Sequence, residues 1–243
     1  MILTLDIGNT CITAGLFQGK RLVKRCSTAT HQAGFKRFLQ QFSRHYVTAV
    51  VISGVVPQAT DKLAKDLRAA FPGIKPSILG KNATVPVKNL YKYPKQAGQD
   101  RLVNAYAAIR LYGYPAIVVD FGTAITFDVI SSRKEYKGGM ILPGLQTSLD
   151  ALADRTALLP KIPLARPSGL IGRDTKNSML SGIVYGFASL TDRLTTRLSA
   201  GLGKNVMIIG TGGHISLIKR YCTCFTAIDP DLTLKGLNLL ATR

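Results

Sequence analysis

The sequence predicts an α/β fold built from two similar halves with a cleft between them. One reason is that strand-like and helical segments alternate along the chain. Another is that the segment at residues 3–10 recurs at residues 117–124, where each copy has an apolar strand, an aspartate, an apolar residue, a glycine and a hydroxyl-bearing turn. Each copy leads into a further strand, so we expect a duplication whose two hairpins face each other. We place the halves at residues 1–112 and 113–243.

Apolar periodicity and turn residues predict the elements of the first half. In chain order these are strands at 2–6, 12–17 and 20–26, a helix at 33–42, a strand at 47–53, a helix from Pro57 to just before Pro72, and a strand at 77–79. Residues 81–97 contain Pro86 and Pro94 and show neither a helical nor a strand period. We therefore expect a connecting loop whose backbone joins no regular element.

A helix at residues 99–111 is predicted to lead into the second half. The elements that follow are strands at 117–120, 125–130 and 135–141, a helix at 145–153, an irregular segment at 160–172, a helix or helix pair at 174–202, a strand at 205–210 and a helix from Ile215. Cys222-Thr223-Cys224 alternates as a strand does, which favours a strand there over a metal site.

The composition bounds the class of protein. The 243-residue chain is 46% hydrophobic, which is enough to bury a sizeable core. No run of about twenty apolar residues occurs, and Met1 leads directly into a strand-like segment, so we expect no membrane span and no signal peptide. The cysteines form no CxxC pair, and we interpret them as free thiols of a cytoplasmic protein; they are Cys11, Cys26, Cys222 and Cys224.

The charge balance is strongly basic, with 32 Lys and Arg against 13 Asp and Glu and a formal net charge of +19. Such a charge attracts polyanions, including nucleic acid, through its long-range field. The basic residues are scattered, however, and no helix-turn-helix, zinc-finger or RNA-recognition signature accompanies them. We therefore expect no specific nucleic-acid partner, whereas an anionic substrate would benefit from the same field.

Three turns carry residues suited to phosphate chemistry. Asp6-Ile7-Gly8-Asn9-Thr10 combines a carboxylate that can serve Mg²⁺ with a turn offering backbone and side-chain donors. Asp120-Phe121-Gly122-Thr123-Ala124 repeats this arrangement, and Gly210-Thr211-Gly212-Gly213 adds a glycine-rich junction between a strand and a helix. Each motif alone is also compatible with an ordinary polar turn, since glycine and asparagine are common there.

Gly98-Gln99-Asp100-Arg101 opens the predicted helix at residues 99–111. Asp100 has a local explanation, because a carboxylate in the first turn of a helix complements the helix dipole. This explanation accounts for an aspartate but not for the residues that accompany it.

Together these motifs resemble those of the superfamily of acetate and sugar kinases, heat-shock chaperone ATPases and actin, whose two ribonuclease-H-like halves clasp ATP. Within it, the sequence is most similar to the type III pantothenate kinases, which phosphorylate pantothenate at the start of coenzyme A synthesis. The resemblance covers nearly the whole chain and includes the segment 138–144, Gly-Gly-Met-Ile-Leu-Pro-Gly, which we interpret as a shape-determining turn. It implies an actin-like ATPase fold with ATP, Mg²⁺ and pantothenate as ligands.

The resemblance also implies a role for individual residues. Asp100 would be the general base and Arg101 would bind pantothenate, which is chemically sound because the acceptor alcohol must lose a proton and an arginine fork matches a carboxylate. Asp6 would serve Mg²⁺, and Asp120 would hold a monovalent cation, K⁺ or NH₄⁺. The implied ATP-binding residues are Asp6, Ile7, Gly8, Asn9, Thr10, Cys11, Ile12, Thr13 and Thr123. The implied substrate-binding residues are Tyr91, Gly98, Gln99, Asp100, Arg101 and Thr175.

Two of these residues keep plain alternatives. Tyr91 could instead be a packed aromatic ring and Thr175 a helix cap. Cys11 directly follows the phosphate turn, so we expect that alkylation of its thiol impairs activity.

The resemblance further implies a homodimer whose substrate site is built at the subunit contact. A different class of function is a non-catalytic kinase-like regulatory or transcription accessory protein that acts through its basic surface. The joint presence of Asp6, Asp100, Arg101 and Asp120 favours catalysis, because a pure binding module has no chemical need for that set.

Overall fold

The computed structural model describes residues 1–31 and 34–242 and divides the chain into two compact units. Unit 1 contains Met1–Val87, Lys92–Ala107 and the segment from Leu232 onward. Unit 2 contains Lys88–Tyr91 and Ala108–Asp231. The C-terminal segment therefore belongs with the first unit, although the second unit precedes it in the chain.

The described elements follow the predicted alternation of strands and helices. The strands are β1 (Ile2–Ile7), β2 (Cys11–Gln18), β3 (Arg21–Ala29), β4 (Ala49–Gly54), β5 (Ser77–Ile78), β6 (Lys88–Asn89), β7 (Ala116–Phe121), β8 (Ala124–Ile130), β9 (Glu135–Pro143), β10 (Met207–Thr211) and β11 (Ala227–Ile228). The α-helices are α1 (Lys36–Gln40), α2 (Pro57–Ala70), α3 (Gln99–Leu111), α4 (Leu145–Arg155), α5 (Thr175–Ala200), α6 (Ile215–Ile218) and α7 (Leu232–Ala241).

The two units share one sheet topology. Across the part of the chain that the structure describes, the sheet of unit 1 has the order β3-β2-β1-β4-β5, and the sheet of unit 2 contains β9-β8-β7-β10-β11 in the corresponding order. Within each of these two sets of five strands, the first three in sequence are antiparallel neighbours, and the other two run parallel to the first. This repeat confirms the predicted α/β duplication.

The alternation of apolar and polar side chains explains how β1 separates the two faces of its sheet. Leu3, Leu5 and Ile7 lie in the apolar core together with residues of α1 and α2, because successive side chains of a strand point to opposite faces. The opposite face therefore carries Thr4 and Asp6. This second face is covered by α3 and α7, which pack against β4 in a cluster that comprises Val51, Leu79, Val103 and Leu237.

Several element predictions need correction. Residues 81–97 were expected to join no regular element, but Lys88–Asn89 pairs in parallel with Glu135–Tyr136. The helix predicted at 33–42 is only Lys36–Gln40 among the described residues, and Ala33 lies outside them. The segment predicted at 174–202 is one continuous helix, Thr175–Ala200.

Cys222-Thr223-Cys224 is not a strand, so that prediction is wrong. The carboxylate of Asp192 on α5 accepts hydrogen bonds from the backbone amides of Thr223 at 2.9 Å and Cys224 at 3.1 Å, and from the Thr223 hydroxyl at 2.8 Å. These bonds fix the segment as a loop on α5, because the amides that a strand would use for pairing already have a side-chain partner.

Candidate active site

The first predicted phosphate turn joins β1 to β2 in unit 1. Its backbone closes through a 3.0 Å hydrogen bond from the Gly8 amide to the Cys11 carbonyl. Thr30 fastens the turn from the side, since its hydroxyl donates to the Gly8 carbonyl at 2.8 Å and its amide donates to the Thr10 carbonyl at 3.0 Å. Asn9, together with the two residues that follow it, is exposed. The turn is therefore fixed in shape and open to a ligand.

Asp6 lies at the carboxyl end of β1, directly beside Ser53 on β4. The two strands are parallel and these residues are paired in register, so both side chains emerge on the same face of the sheet. Ser53 has 0% exposure, and among the described residues its hydroxyl has no hydrogen-bond partner. Leaving a buried hydroxyl without a partner costs about 1–3 kcal/mol, so this residue calls for an explanation.

Asp100 lies in the first turn of α3, also in unit 1. Its Oδ1 accepts a 2.9 Å hydrogen bond from the backbone amide of Arg101. Burial raises the pKa of Asp100 above its usual range, although that hydrogen bond and the Arg101 charge act in the opposite direction. Gly98 leaves room for this carboxylate, because a Cβ built on it would overlap Asp100 Oδ1 in its present position.

The amino end of α3 lies at the same sheet edge as Asp6. The amide of Leu79 donates to the Ile52 carbonyl at 2.9 Å, which places the end of β5 level with the end of β4. A Cβ built on the next residue, Gly80, would lie 3.3 Å from Gln99 Cδ. Unit 1 thus brings two motifs that are far apart in the sequence to the carboxyl edge of one sheet.

The second phosphate turn joins β7 to β8 in unit 2 and is one residue shorter than the first. Phe121 pairs with Ile125, whereas in unit 1 Ile7 pairs with Ile12. A hydrogen bond of 3.1 Å from the Gly122 amide to the Ala124 carbonyl closes the shorter turn. The duplicated hairpins therefore share their strand register but differ in their turns.

Thr123 is held from the start of α4. Its carbonyl accepts from the Gly144 amide at 3.0 Å and from the Thr147 hydroxyl at 2.8 Å. A Cβ on Gly144 would overlap the carbonyls of Gly122 and Thr123, so only glycine permits this close approach.

The glycine-rich junction after β10 packs against Asp120. Thr211 is 1% exposed and is paired in register with Asp120 on the parallel strand β7. Gly212 has a φ of +95°, and a Cβ there would overlap Asp120 Oδ1 and the backbone of Phe121. The His214 amide also donates to the Phe121 carbonyl at 3.1 Å. Unit 2 thus brings the second and third predicted motifs into contact.

Tyr91 lies in unit 2 as a half-buried ring. It sits 6.1 Å from the Tyr136 ring, centroid to centroid, and a Cβ on Gly138 would lie 3.1 Å from Tyr91 Cε2. Gly138, with a φ of +109°, lies within β9, so the segment 138–144 is mainly strand and the predicted turn is wrong for most of its length. The glycine makes room for the tyrosine ring.

Thr175 is the exposed first residue of α5. It does not cap the helix, because the preceding Asp174 does so by accepting a 2.8 Å hydrogen bond from the Asn177 amide. The helix-cap alternative for Thr175 is therefore wrong. The predicted substrate residues are divided between the units, with Gly98, Gln99, Asp100 and Arg101 in unit 1 and Tyr91 and Thr175 in unit 2.

Other surface features lie apart from the predicted residues. An open cavity of about 510 Å³ in unit 1 is lined by Lys24, Arg37, Gln40, Gln41 and Arg44, none of which is a predicted site residue. Within residues 1–31 and 34–242, no helix has the length and apolar character needed to cross a membrane. In the same described part, no group of three or more His, Cys, Asp or Glu side chains could hold a metal ion.

Sequence reasoning missed Ser53 because it lies inside a buried, apolar strand. A signal was nevertheless present in the duplication. Thr211, the last residue of β10, is paired with Asp120 and is followed by Gly212, and Ser53-Gly54 at the end of β4 occupies the corresponding place beside Asp6. Aligning the two halves through these hydroxyl–glycine pairs would have found Ser53.

The repeated sheet order and the repeated Asp-x-Gly hairpins define the class as the duplicated ribonuclease-H-like fold of actin-like ATPases and sugar kinases. The chain is similar to component A of the (R)-2-hydroxyglutaryl-CoA dehydratase of Acidaminococcus fermentans, with a TM-score of 0.56, 13% identity and coverage of 99% of this chain and 95% of that one. It is also similar to the ethanolamine utilization protein EutJ of Carboxydothermus hydrogenoformans, with a TM-score of 0.55, 12% identity and coverage of 98% and 89%. At these identities the likeness concerns the fold alone.

Sequence comparison identifies the family. The family model of the type III pantothenate kinases matches residues 2–197. The type III pantothenate kinase of Moorella thermoacetica is 38% identical over 254 residues, covering 100% of this chain and 99% of the relative. That of Halalkalibacterium halodurans is 39% identical over 250 residues, covering 99% and 98%. The chain belongs to the type III pantothenate kinase family, and these relatives give no support to the regulatory alternative.

Proposed function

We propose that this protein transfers the γ-phosphoryl group of ATP to the terminal hydroxyl of pantothenate, forming 4′-phosphopantothenate and ADP in the first step of coenzyme A synthesis. The bond between the γ-phosphorus and the bridging oxygen of ATP breaks, and a bond from the alcohol oxygen to that phosphorus forms. Full-length relatedness to the type III pantothenate kinases is the observation that carries this proposal.

We assign the proton of the alcohol to a carboxylate oxygen of Asp100. The raised pKa of this carboxyl suits a base, because it holds an accepted proton better than an ordinary aspartate does. Its bond to the Arg101 amide fixes the orientation of the carboxylate. Arg101, which is 6% exposed, is assigned to the pantothenate carboxylate. Gly98 and Gln99 contribute the surrounding backbone and side-chain contacts.

The β1–β2 turn is assigned to ATP. Its fixed shape and its exposed Asn9, Thr10 and Cys11 support a role in holding phosphate oxygens. The remaining proposed ATP contacts are Asp6, Ile7, Gly8, Ile12, Thr13 and Thr123. We also propose that the two repeats of the duplicated sequence are residues 1–112 and 113–243, although the segment from Leu232 onward packs with unit 1.

Mg²⁺ is assigned to Asp6 and a monovalent cation, K⁺ or NH₄⁺, to Asp120. The Mg²⁺ assignment fits the donor set, since Asp6 is paired in register with Ser53, whose hydroxyl has no hydrogen-bond partner among the described residues, and Mg²⁺ prefers oxygen ligands and bound water. When bound, Mg²⁺ would neutralise phosphate charge as the phosphoryl group is transferred. The packing of Gly212 against Asp120 supports a fixed carboxylate there.

We further propose a homodimer whose contact completes the pantothenate site, with Tyr91 and Thr175 as substrate contacts. Unit 2 exposes large apolar side chains close to Thr175 in sequence: Leu158 at 91%, Leu170 at 67% and Ile171 at 82%. Large apolar side chains that are exposed to this extent support an interaction surface in this region. Leu170 and Ile171 come shortly before Thr175, the first residue of α5. A partner that covers these two side chains would therefore also lie near Thr175.

A kinase assay tests the proposed function. ADP release should require pantothenate and K⁺, and mass spectrometry should find 4′-phosphopantothenate in proportion to the ADP released. A pantothenate analogue that has hydrogen in place of the terminal hydroxyl should give no ADP above background. ADP release at the same rate with this analogue, or without any acceptor, would show that the protein is not a pantothenate kinase.

A further inference from the structure

Ser53 is a buried polar residue of unit 1 that lies beside Asp6 and has no step of its own in the proposed reaction. Its side chain has 0% exposure, and within the described part of the chain its Oγ finds no hydrogen-bond partner. Valine or isoleucine would pack such a strand position without a polar atom. A buried hydroxyl without a protein partner is typically satisfied by a water, an ion or another group bound beside it.

The position of Ser53 identifies that group. Asp6, its neighbour in register on the parallel strand β1, is the residue assigned to Mg²⁺. Adjacent strands are about 4.8 Å apart, which is a spacing that one hydrated cation can bridge. Thr4 lies two residues before Asp6 on the same face of β1, and its side chain is as buried as that of Ser53. Unlike the Ser53 hydroxyl, the Thr4 hydroxyl has a partner, because it donates to the Gly15 carbonyl at 3.1 Å.

The second unit repeats the arrangement. Thr211 is paired in register with Asp120, and it is 1% exposed. In both units the hydroxyl residue is followed by a glycine at the carboxyl end of the strand. The duplication thus places a hydroxyl-bearing residue in register beside each of the two aspartates assigned to cations.

We propose that Ser53 is a positioning residue for Mg²⁺, and that its hydroxyl hydrogen-bonds to water bound to the Mg²⁺ that Asp6 holds. The inference rests on the proposed assignment of Asp6 to Mg²⁺. Ser53 then contributes to nucleotide binding only when the metal is present. The hydroxyl fixes the hydrated ion relative to the carboxylate, and it has no direct part in the transfer of the phosphoryl group.

Ser53→Ala tests the proposal through binding rather than activity alone. ADP affinity is measured by titration calorimetry in Mg²⁺ and in EDTA, together with the melting temperature of the nucleotide-free protein. Affinity in Mg²⁺ should fall about fivefold to tenfold, as expected for one lost hydrogen bond. Affinity in EDTA should stay unchanged and the melting temperature should not fall. Ser53→Thr, which keeps the hydroxyl, should restore the affinity in Mg²⁺.

Thr4→Val is the matched control, because it removes an equally buried hydroxyl that has a partner. It should lower the melting temperature and leave the ratio of affinities in Mg²⁺ and EDTA unchanged. The proposal is wrong if Ser53→Ala keeps the wild-type ratio, or if it lowers the melting temperature and both affinities alike. Asp6→Asn separates the assignment of Mg²⁺ to Asp6 from the role of Ser53. If Asp6→Asn keeps the wild-type ratio of affinities, the Mg²⁺ assignment is wrong. If Asp6→Asn changes the ratio and Ser53→Ala does not, only the proposed role of Ser53 is wrong.

Discussion

Asp100 Oδ1 accepts a 2.9 Å hydrogen bond from the backbone amide of Arg101, so the carboxylate is held by the residue that follows it. A bond between adjacent residues leaves the side chain little freedom to rotate. The second carboxylate oxygen is not used in this bond. Burial and orientation therefore combine to present a fixed basic oxygen at the amino end of α3.

Replacing Asp100 by asparagine should lower kcat by about 10²–10⁴-fold, because the amide cannot accept the proton of the alcohol. The substitution keeps the shape of the side chain, so circular dichroism and nucleotide affinity should match those of the wild type. Asp61→Asn is a suitable control, since Asp61 is an exposed carboxylate of unit 1 that pairs with Lys81 at 2.5 Å. Near-normal turnover of the Asp100 variant would show that another group is the base.

The raised pKa of Asp100 should appear in the pH dependence of both rate and stability. Asp100 must be ionised to act as the proposed base, so kcat/KM should rise with pH along an acid limb whose midpoint lies above the usual 3.8 of an aspartate. Because the folded-state pKa exceeds the unfolded one, the protonated carboxyl stabilises the fold below pH 3.8, and this contribution is lost as pH rises through the folded-state pKa. Asp100→Asn should therefore melt at a higher temperature than the wild type at pH 7. A lower melting temperature would contradict the assigned burial.

Local signals in the sequence predicted much of unit 1 and the amino end of α3. The bounds of the helix at residues 99–111 were confirmed, because Gly98 and the preceding prolines interrupt the chain just before it. The hairpins were likewise evident from their glycine turns. Within these elements, the sequence placed Asp100 on the first turn of a helix, where the structure also has it.

Long-range packing was not predictable in the same way. Lys88–Asn89 pairs with residues of β9 that lie 47 positions further along the chain. A strand of two residues has no hydrophobic periodicity that the sequence alone could reveal. Helix α7 contains Gly236, a residue that argues against a helix in sequence alone. The structure explains it, because a Cβ there would lie 2.6 Å from Val103 Cγ1, so glycine allows α7 to pack closely on α3.

Alkylation of Cys11 should inhibit the enzyme and ATP should protect against it. Cys11 is exposed beside the phosphate turn, whereas burial raises the pKa of the Cys222 and Cys224 thiols to about 12, so these two react slowly near pH 8. Peptide mass spectrometry after iodoacetamide treatment should show the adduct on Cys11 before the other two. Cys11→Ser should resist inhibition. Full activity of protein alkylated at Cys11 would remove this thiol from the ATP site.

Ile171→Asp should convert the proposed dimer to a monomer, because it places a charge on an apolar side chain that is 82% exposed. Light scattering after size exclusion gives the mass, and KM for pantothenate should rise more than KM for ATP if the contact completes the acceptor site. Tyr46→Asp is the control, since Tyr46 is 85% exposed but belongs to unit 1. A dimer of Ile171→Asp with unchanged KM values would place the interface elsewhere.

Gly212→Ala should weaken the response to K⁺ by displacing the Asp120 carboxylate. A Cβ at this position would overlap Asp120 Oδ1, and the φ of +95° is costly for any residue other than glycine. We expect the K⁺ concentration for half-maximal activity to rise on the order of tenfold, as about 1.4 kcal/mol of strain would produce. The neighbouring Gly213→Ala is a matched control, because a Cβ built there meets nothing within 4 Å.

Folding and cation binding can be separated in the same experiment. The melting temperatures of Gly212→Ala and Gly213→Ala, measured without K⁺, show whether Gly212→Ala is folded. Asp120→Asn tests the role of the carboxylate while Gly212 stays unchanged. Asp120→Asn should abolish the response to K⁺ and to NH₄⁺ while leaving the sheet intact, because its partner strand β10 pairs through the backbone. If both Gly212→Ala and Asp120→Asn respond to K⁺ as Gly213→Ala does, the monovalent cation is not bound at Asp120.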